Sequence, residues 1–422
     1  MLDPKYIREN AEEVKANCRN RNAKVDVDGW LKLDAKRLDL LQASEKLRSQ
    51  RNAVAEKMKS ASAEERPALI ESGKQLKDLL AVADSTLEQI EVEWKNQLMS
   101  FPNKTHPDAP IGKDDSENVE IRRVGEIKKL SNPLDHVQLA EKHDLIDFVR
   151  GAKVAGTKFY FLKGKGALLE QALVKFALDY LVGEGFTPMS TPDLAKDEIL
   201  LGTGYNPRGP ETQIYSIENT DLSLIGTAEI TIGGYHKDEI LSAAELPLKY
   251  AGVSHCYRTE AGAYGKESYG LYRVHQFTKV EQFVFCAPEQ SEAMLMEIQR
   301  NSENIFKMLE IPFRVIEICT GDFGNPHYRK YDIEAWMWGR GEGKGDWGEV
   351  TSASNCTDYQ ARRLNIRLKT ETGENVYAHT LNNTALAISR ALIALLENHQ
   401  QEDGSIKIPP ALVPYCGFDR IG

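Results

Sequence analysis

Residues Tyr257 to Glu281 read Y-R-T-E-A-G-A-Y-G-K-E-S-Y-G-L-Y-R-V-H-Q-F-T-K-V-E. Two strand-like segments flank a loop rich in glycine and charge, Ala261 to Gly270, which is a hairpin signature. Strand side chains alternate with period two, so Arg258 and Glu260 share a face. On the returning segment Arg273, Phe277 and Glu281 also share one. Two arginines, two carboxylates and an aromatic ring then converge where a half-buried strand ordinarily carries apolar residues. A solvated strand face with surface ion pairs gives the same pattern, so the neighbouring sequence must decide.

Around the hairpin the texture is mixed. Gly166 to Glu184 is an amphipathic helix carrying Leu168, Leu169, Leu173, Phe176, Ala177 and Tyr180, followed by a short extended segment from Phe186 to Pro192. A helix over 290–309, a strand over 313–318 and a last helix from about Thr384 to Asn398 complete the outline, and the tail from Ile408 to Pro414 reads as extended. Strands are joined by hairpins and long excursions, without a βαβ rhythm. That favours an antiparallel sheet with flanking helices, an α+β domain.

The N-terminal part is different. Residues 5–17 read as a short helix and Asp26 to Trp30 as a turn or helix start. Leu33, Leu40, Leu47 and Val54 then recur every seven residues, with Met58 four further on. After a break at Ser60 to Pro67, Leu69, Gly73, Leu76, Leu80, Ala83, Leu87, Ile90 and Trp94 alternate steps of four and three, an a/d seam. Two such helices make an antiparallel coiled-coil arm over about residues 31–98. About 28 residues per helix give it a length of roughly 40 Å. The first helix adds a polar seam position at Arg37, Ser44 and Arg51. Phe101 to Asp115, rich in Pro, Asn and Asp, reads as the linker. The expected domains are 1–105 and 106–422.

Composition sets bounds. The 422 residues are 41% hydrophobic and 27% charged, with a net charge of −10, globular values that exclude a bulk polycation. The first hundred residues hold 18 Lys+Arg against 18 Asp+Glu, leaving 35 against 45 for the remainder. Between Lys46 and Lys77 eight bases face four acids. A basic distal half on an otherwise acidic chain suits local contact with phosphates, although a solvated helix face fits equally. The six scattered cysteines form no C-x-x-C pair, and no apolar run reaches membrane-spanning length. The expectation is a cytoplasmic protein that engages neither membrane nor DNA.

Some motif matches fail on context. Gly343, Gly345 and Gly348 fit G-x-G-x-x-G, but no strand precedes them and no helix follows. No Walker-A sequence exists, and the histidines stand singly, without a triad or metal cage. What remains are short polar clusters. Thr227-Ala228-Glu229, if extended, aims a hydroxyl and a carboxylate to one side, fit for an ammonium group. Glu349-Val350-Thr351-Ser352 alternates likewise and offers a cation a carboxylate and a hydroxyl. Asn382-Asn-Thr384 through Arg390 reads as the start of a helix.

Together these segments resemble the class II aminoacyl-tRNA synthetases, and within them the seryl-tRNA synthetase family. Gly185-Phe-Thr-Pro-Met-Ser-Thr-Pro192 with its preceding helix is similar to motif 1 of the class. Tyr257-Arg-Thr-Glu260 through Phe277-Thr-Lys-Val-Glu281 is similar to motif 2, and Thr384 to Arg390 to motif 3. The long arm, Thr-Ala-Glu, Asn355-Cys-Thr-Asp-Tyr-Gln-Ala-Arg-Arg363 and Asn398-His-Gln are particular to the seryl enzymes. The resemblance spans essentially the whole chain.

It implies that serine and ATP form seryl-adenylate and pyrophosphate, and that serine then passes to the 3′ end of tRNA(Ser). Whether tRNA(Sec) is also served stays open. Carried over by motif, Arg258 and Arg390 are the catalytic pair: Arg258 bridges the α-phosphate and the serine carboxylate, and Arg390 takes the γ-phosphate. Glu260 accepts from the adenine amino group, Phe277 stacks on the ring, and Thr259, Val274, Val350 and Thr351 complete the ATP site. Glu349 and Ser352 hold Mg²⁺. Thr227, Ala228, Glu229, Arg258, Glu281 and Thr384 form the serine site. The loop Ala261 to Gly270 moves between ATP and the tRNA acceptor end. Motif 1 implies a homodimer, and the arm reaches the long variable arm of the tRNA. Two alternatives are a ligase that charges a carrier other than tRNA and a non-catalytic tRNA-binding scaffold. The first lacks the arm in its known relatives, and the second predicts erosion of Arg258, Glu260 or Arg390.

Overall fold

The computed structural model describes residues 1–207, 213–260, 270–370 and 372–422. The glycine-rich loop expected over Ala261 to Gly270 lies outside them except for Gly270. The chain divides into two compact units, Met1–Pro102 and Asn103–Gly422.

In the first unit the helix expected over 5–17 is two, α1 (Pro4–Glu9) and α2 (Ala11–Asn20), because Asn10 leaves helical geometry at φ −129°, ψ 38°. Asp26 caps α3 (Val27–Ser60), its Oδ1 accepting from the Gly29 N–H at 2.9 Å. The chain turns and returns as α4 (Arg66–Ser100), with Pro67 in its first turn. Both helices exceed the expected length, and 34 residues of α3 span roughly 50 Å. The seam is as the heptads predict: Leu80, Leu87 and Ile90 are buried, Leu69, Gly73, Leu76, Ala83 and Trp94 half-buried. Two of its three polar positions have partners in the seam. Buried Ser44 donates to Asp84 at 2.6 Å, and the Arg37 guanidinium lies 4.4 Å from the Trp94 ring centroid. Arg51 is exposed. At the root, Trp30, Leu98 and Phe101 join Ile7 and Val14 in a separate apolar core.

The second unit is built on an eight-stranded sheet. In chain order its strands are β1 (Val119–Val124), β2 (Thr187–Ser190), β3 (Leu248–Tyr257), β4 (Gln276–Cys286), β5 (Phe313–Glu317), β6 (Arg329–Met337), β7 (Asp346–Thr357) and β8 (His379–Ala387). They lie in the order β1-β5-β6-β7-β8-β4-β3-β2, all antiparallel except β2 on β3. The helices that matter here are α5 (His136–His143), α6 (Phe148–Ala155), α7 (Lys165–Gly183), α8 (Ala228–Gly233), α9 (Ser291–Met308), α10 (Tyr359–Leu364) and α11 (Ile388–His399). Among the residues expected on the apolar face of α7, Leu169, Leu173, Phe176 and Ala177 are buried, but Leu168 is 53% exposed.

Three expectations need correction. Thr384 lies in β8, and the helix starts only at Ile388. β8 is a central strand buried on both faces, so it shows none of the alternation by which a strand is read. The tail beyond Ile408 is not extended throughout: Val413–Cys416 is a helical turn. Finally, β3 ends at Tyr257 and β4 begins at Gln276, so Arg258, Glu260 and Arg273 sit just beyond the paired strands. The Arg258 N–H still donates to the His275 carbonyl at 3.0 Å, and Glu260 adopts a left-handed φ of 46°.

Candidate active site

One cleft is lined by residues of β4, β7 and β8 together with Arg258 and Glu260 just beyond β3. Register brings its walls together. Glu281 of β4 pairs with Gly252 on one side and Thr384 on the other. On β8, Asn382 and Thr384 point to the cleft, while Asn383 between them donates to the Ile298 carbonyl of α9 at 2.7 Å. Thr227, Glu229, Arg258, Glu260, Val274, Phe277, Glu281, Glu349, Val350, Thr351, Ser352, Thr384 and Arg390 all line this cleft. Ala228 and Thr259 do not. Ala228 is buried in an apolar cluster with Ile232 and Phe283, and the Thr259 N–H donates to the Gln213 carbonyl.

One end is a small polar pocket. Thr227 and Glu229 are not on a strand. Thr227 caps the six-residue α8, its hydroxyl accepting from the Glu229 N–H at 3.1 Å, which places the carboxylate in the first helical turn. Glu229 is 6% exposed and accepts three hydrogen bonds: from the Tyr205 hydroxyl at 2.7 Å, Gln360 at 2.8 Å and Asn382 at 3.0 Å. Burial nonetheless raises its pKa, and the Glu281 charge adds to that. A cation brought beside it relieves that cost. Across the pocket the Lys279 ammonium contacts Glu281 at 2.6 Å and donates to the Thr227 hydroxyl at 2.7 Å. The Thr384 hydroxyl donates to Glu281 at 3.3 Å.

The other end is cationic and aromatic. The Arg258 guanidinium lies 5.5 Å from the Phe277 ring centroid, and Arg273 reaches Glu260 at 3.3 Å. Arg390, in the first turn of α11, donates to the Glu349 carbonyl at 3.0 Å and pairs with its carboxylate at 3.3 Å. The Tyr272 ring stacks with two guanidinium groups, Arg340 at 4.4 Å and Arg390 at 4.5 Å.

Simple alternation over Glu349 to Ser352 does not hold. The register of β7 against β6 shifts by one residue at Val350, a bulge. Val350 and Thr351 are therefore both buried, and Glu349 and Ser352 face the cleft together. Burial tends to raise the Glu349 carboxyl's pKa, but the Arg390, Lys330 and Arg258 charges pull it below the usual carboxylate value. Opposite Ser352, burial pushes Asp332 up to about 7 against the pull of Lys330, 3.1 Å away. Its Oδ1 is buried without a hydrogen-bond partner. Among the described residues no group of three or more His, Cys, Asp or Glu could cage a metal. The oxygens of Glu349 and Ser352 instead fit a magnesium ion held mainly by substrate phosphates and water.

Tyr205, Tyr272, Lys279, Gln360 and Asn382 line or shape the site without having been singled out from the sequence. Lys279, Gln360 and Asn382 fall inside the motifs quoted above. Tyr205 carries no local signal, and Tyr272 only its place in the hairpin.

Comparison with known proteins gives the family. The family model described as tRNA synthetase class II core domain (G, H, P, S and T) matches residues 213–399, and the seryl-tRNA synthetase N-terminal domain matches residues 1–105. The chain is 55% identical to a serine–tRNA ligase of Treponema denticola over the whole of both chains. It is 56% identical to one of Rubrobacter xylanophilus, covering 100% of this chain and 99% of that one. Among solved structures, seryl-tRNA synthetase from Pyrococcus horikoshii complexed with ATP is similar at a TM-score of 0.92 and 42% identity, covering 100% and 99% of the two chains. The cytoplasmic serine–tRNA ligase from Naegleria fowleri in complex with AMP follows at 0.86 and 30%, covering 99% and 96%. No helix among the described residues is long and apolar enough to cross a membrane. With both domain models matched and relatives 55% and 56% identical over the full length, the chain belongs to the seryl-tRNA synthetase family, within the class II aminoacyl-tRNA synthetases.

Proposed function

We propose that the chain activates L-serine with ATP to seryl-adenylate and pyrophosphate and transfers the serine to the 3′ end of tRNA(Ser). The observation that carries this reading is a single cleft joining a buried carboxylate cradle to a cationic, aromatic slot. Glu229 takes the serine ammonium. Glu281 and Thr384 surround the hydroxyl, and Lys279 pairs with Glu281 at 2.6 Å. A pocket built to hydrogen-bond a hydroxyl rejects alanine strongly, because its own polar groups would be left unpaired.

Arg258 holds the serine carboxylate against the α-phosphate. Two anions that repel need a planar, forked cation to bring the attacking oxygen in line. Adenine stacks on Phe277 and is read by Glu260, with Val274 against the nucleotide, and Arg390 takes the γ-phosphate. Val350 and Thr351 back this site, with Thr259 and Ala228 contributing at most through their backbones. Glu349 and Ser352 hold Mg²⁺, which when bound supplies positive charge to the phosphates. No general base is required for activation, since the carboxylate is already the nucleophile, and positioning with electrostatic stabilisation supplies the rate.

Residues 1–105 serve tRNA binding through the arm and 106–422 catalysis. A homodimer is supported by apolar residues left open on α6 and α7: Val149 is 81%, Val154 71% and Leu168 53% exposed. Six free cysteines suit the reducing cytoplasm. A carrier-charging ligase or non-catalytic scaffold is not favoured, since Arg258, Glu260 and Arg390 all line the cleft of a chain that matches serine–tRNA ligases end to end. The test is amino-acid-dependent ATP–pyrophosphate exchange over a panel of amino acids. Serine is expected to support exchange, and background exchange with serine would overturn the assignment.

A further inference from the structure

Three backbone segments framing the nucleotide end of the cleft converge on one buried pair outside it, His136 and Glu397. His136 is 5% exposed and Glu397 fully buried. Glu397 lies on α11 seven residues, about two turns, beyond Arg390. Its Oε1 accepts from the His136 backbone N–H at 2.9 Å and from His136 Nδ1 at 2.8 Å. Its Oε2 accepts from the Gly339 N–H at 2.9 Å. His136 Nε2 accepts from the Leu271 N–H at 3.1 Å, which puts the ring proton on Nδ1 and fixes the tautomer.

Leu271 and Gly339 immediately precede Tyr272 and Arg340, the ring and one of the two cations in the stack that ends at Arg390. The pair thus grips the residue before the tyrosine, the residue before one arginine, and the helix that carries the other. The approach is close on both sides. A Cβ on Gly270, which has a φ of +66°, would lie 1.9 Å from His136 Nε2, and one on Gly339 would lie 3.0 Å from Glu397 Oε1.

We propose that His136 and Glu397 are positioning residues for the activation step, holding the Arg340–Tyr272–Arg390 stack so that Arg390 meets the terminal phosphate of ATP. The proposal rests on the reading of Arg390 given above. Neither residue lines the cleft, so their effect reaches the nucleotide only through the stack.

Glu397→Gln keeps shape but not hydrogen bonding. In either orientation its amide group meets a backbone N–H, that of Gly339 or that of His136, and two donors then oppose each other. The test measures binding of ATP and of AMP to the full-length enzyme, with serine KM and thermal unfolding as companions. Glu397→Gln is expected to weaken ATP about tenfold, as the loss of a charge-assisted bond allows, while AMP and serine change less than about twofold. His136→Gln, which retains a donor and an acceptor, should show a smaller loss with the same selectivity, and carries the test if Glu397→Gln does not fold. Equal weakening of ATP and AMP would mark the pair as merely structural, and unchanged ATP binding would also overturn the proposal. Arg390→Ala separates the two readings. If it spares the ATP-over-AMP preference, the role of Arg390 itself fails. If it abolishes that preference and the pair's variants do not touch it, only the present inference fails.

Discussion

Replacing Glu229 by Gln tests the serine pocket with the least disturbance to its packing. The amide oxygen can keep the two bonds accepted from Gln360 and Asn382, leaving its NH₂ toward Tyr205. The Tyr205 hydroxyl both donates and accepts, so it can turn to receive that hydrogen. What disappears is the charge. A hydrogen bond to a charged group contributes about 1.5–3 kcal/mol, so kcat/KM for serine should fall about 10- to 150-fold, with the KM for ATP little changed. Stability should move the other way. Burial raises the Glu229 pKa, so the native state binds its proton more readily than the unfolded chain, and ionisation destabilises the fold above that raised pKa. Glutamine removes the penalty, and the variant should melt at or above the wild-type temperature at neutral pH. In the wild type, serine KM should rise as pH falls through the raised pKa, and this limb should be absent in the variant. Pyrophosphate exchange across pH, with thermal unfolding alongside, reads all of this. A serine KM within about twofold of wild type would refute the assignment of Glu229 to the ammonium.

Arg258→Lys keeps the charge but loses the fork, and should reduce exchange at least a hundredfold, about 2.7 kcal/mol, while the protein stays folded by circular dichroism; retained activity would remove the clamp role. Deleting Leu31 to Leu98 takes most of α3 and α4 from the first unit and leaves the second intact, so serine activation should persist and tRNA charging should be lost. Equal loss of both would assign the arm a structural role. Asp332 is raised from 3.8 to about 7 by burial. Between those values the native state holds a proton the unfolded chain has released, so its contribution to stability falls as pH rises toward 7. Asp332→Asn should flatten that slope in denaturant titrations at pH 5 and 8, and an unchanged slope would show that the group does not titrate there.

The arm was legible because each of its helices has one partner and one seam. Positions such as Leu80 and Leu87 are buried for the same reason that they recur every seven residues. The sheet was legible only in part, at the central hairpin and in the segments over 186–192 and 313–318. β8 is covered on both faces, so Thr384 carried no strand signature, and α8, which Thr227 caps at its start, is too short at six residues to show helical periodicity. The bulge at Val350 had no trace in sequence either, since it is a mismatch between two strands and not a property of one. The same distinction separates the residues found from those missed. Arg258, Glu260 and Glu281 were recoverable because they share a hairpin and a chemistry. Tyr205 and Gln360 serve the same pocket, but only tertiary contact brings them to Glu229, 24 and 131 residues away along the chain. Nor could local pattern decide whether the charged hairpin face is solvated. That was decided by what covers it: α8 sets the Glu229 carboxylate into the pocket, and Lys279 and Thr384 close on Glu281 until it is 1% exposed. On the proposed reading, a carboxylate left as dry as Glu229 gains from a ligand cation what a surface ion pair gains from water, and that asymmetry would make the face a binding site.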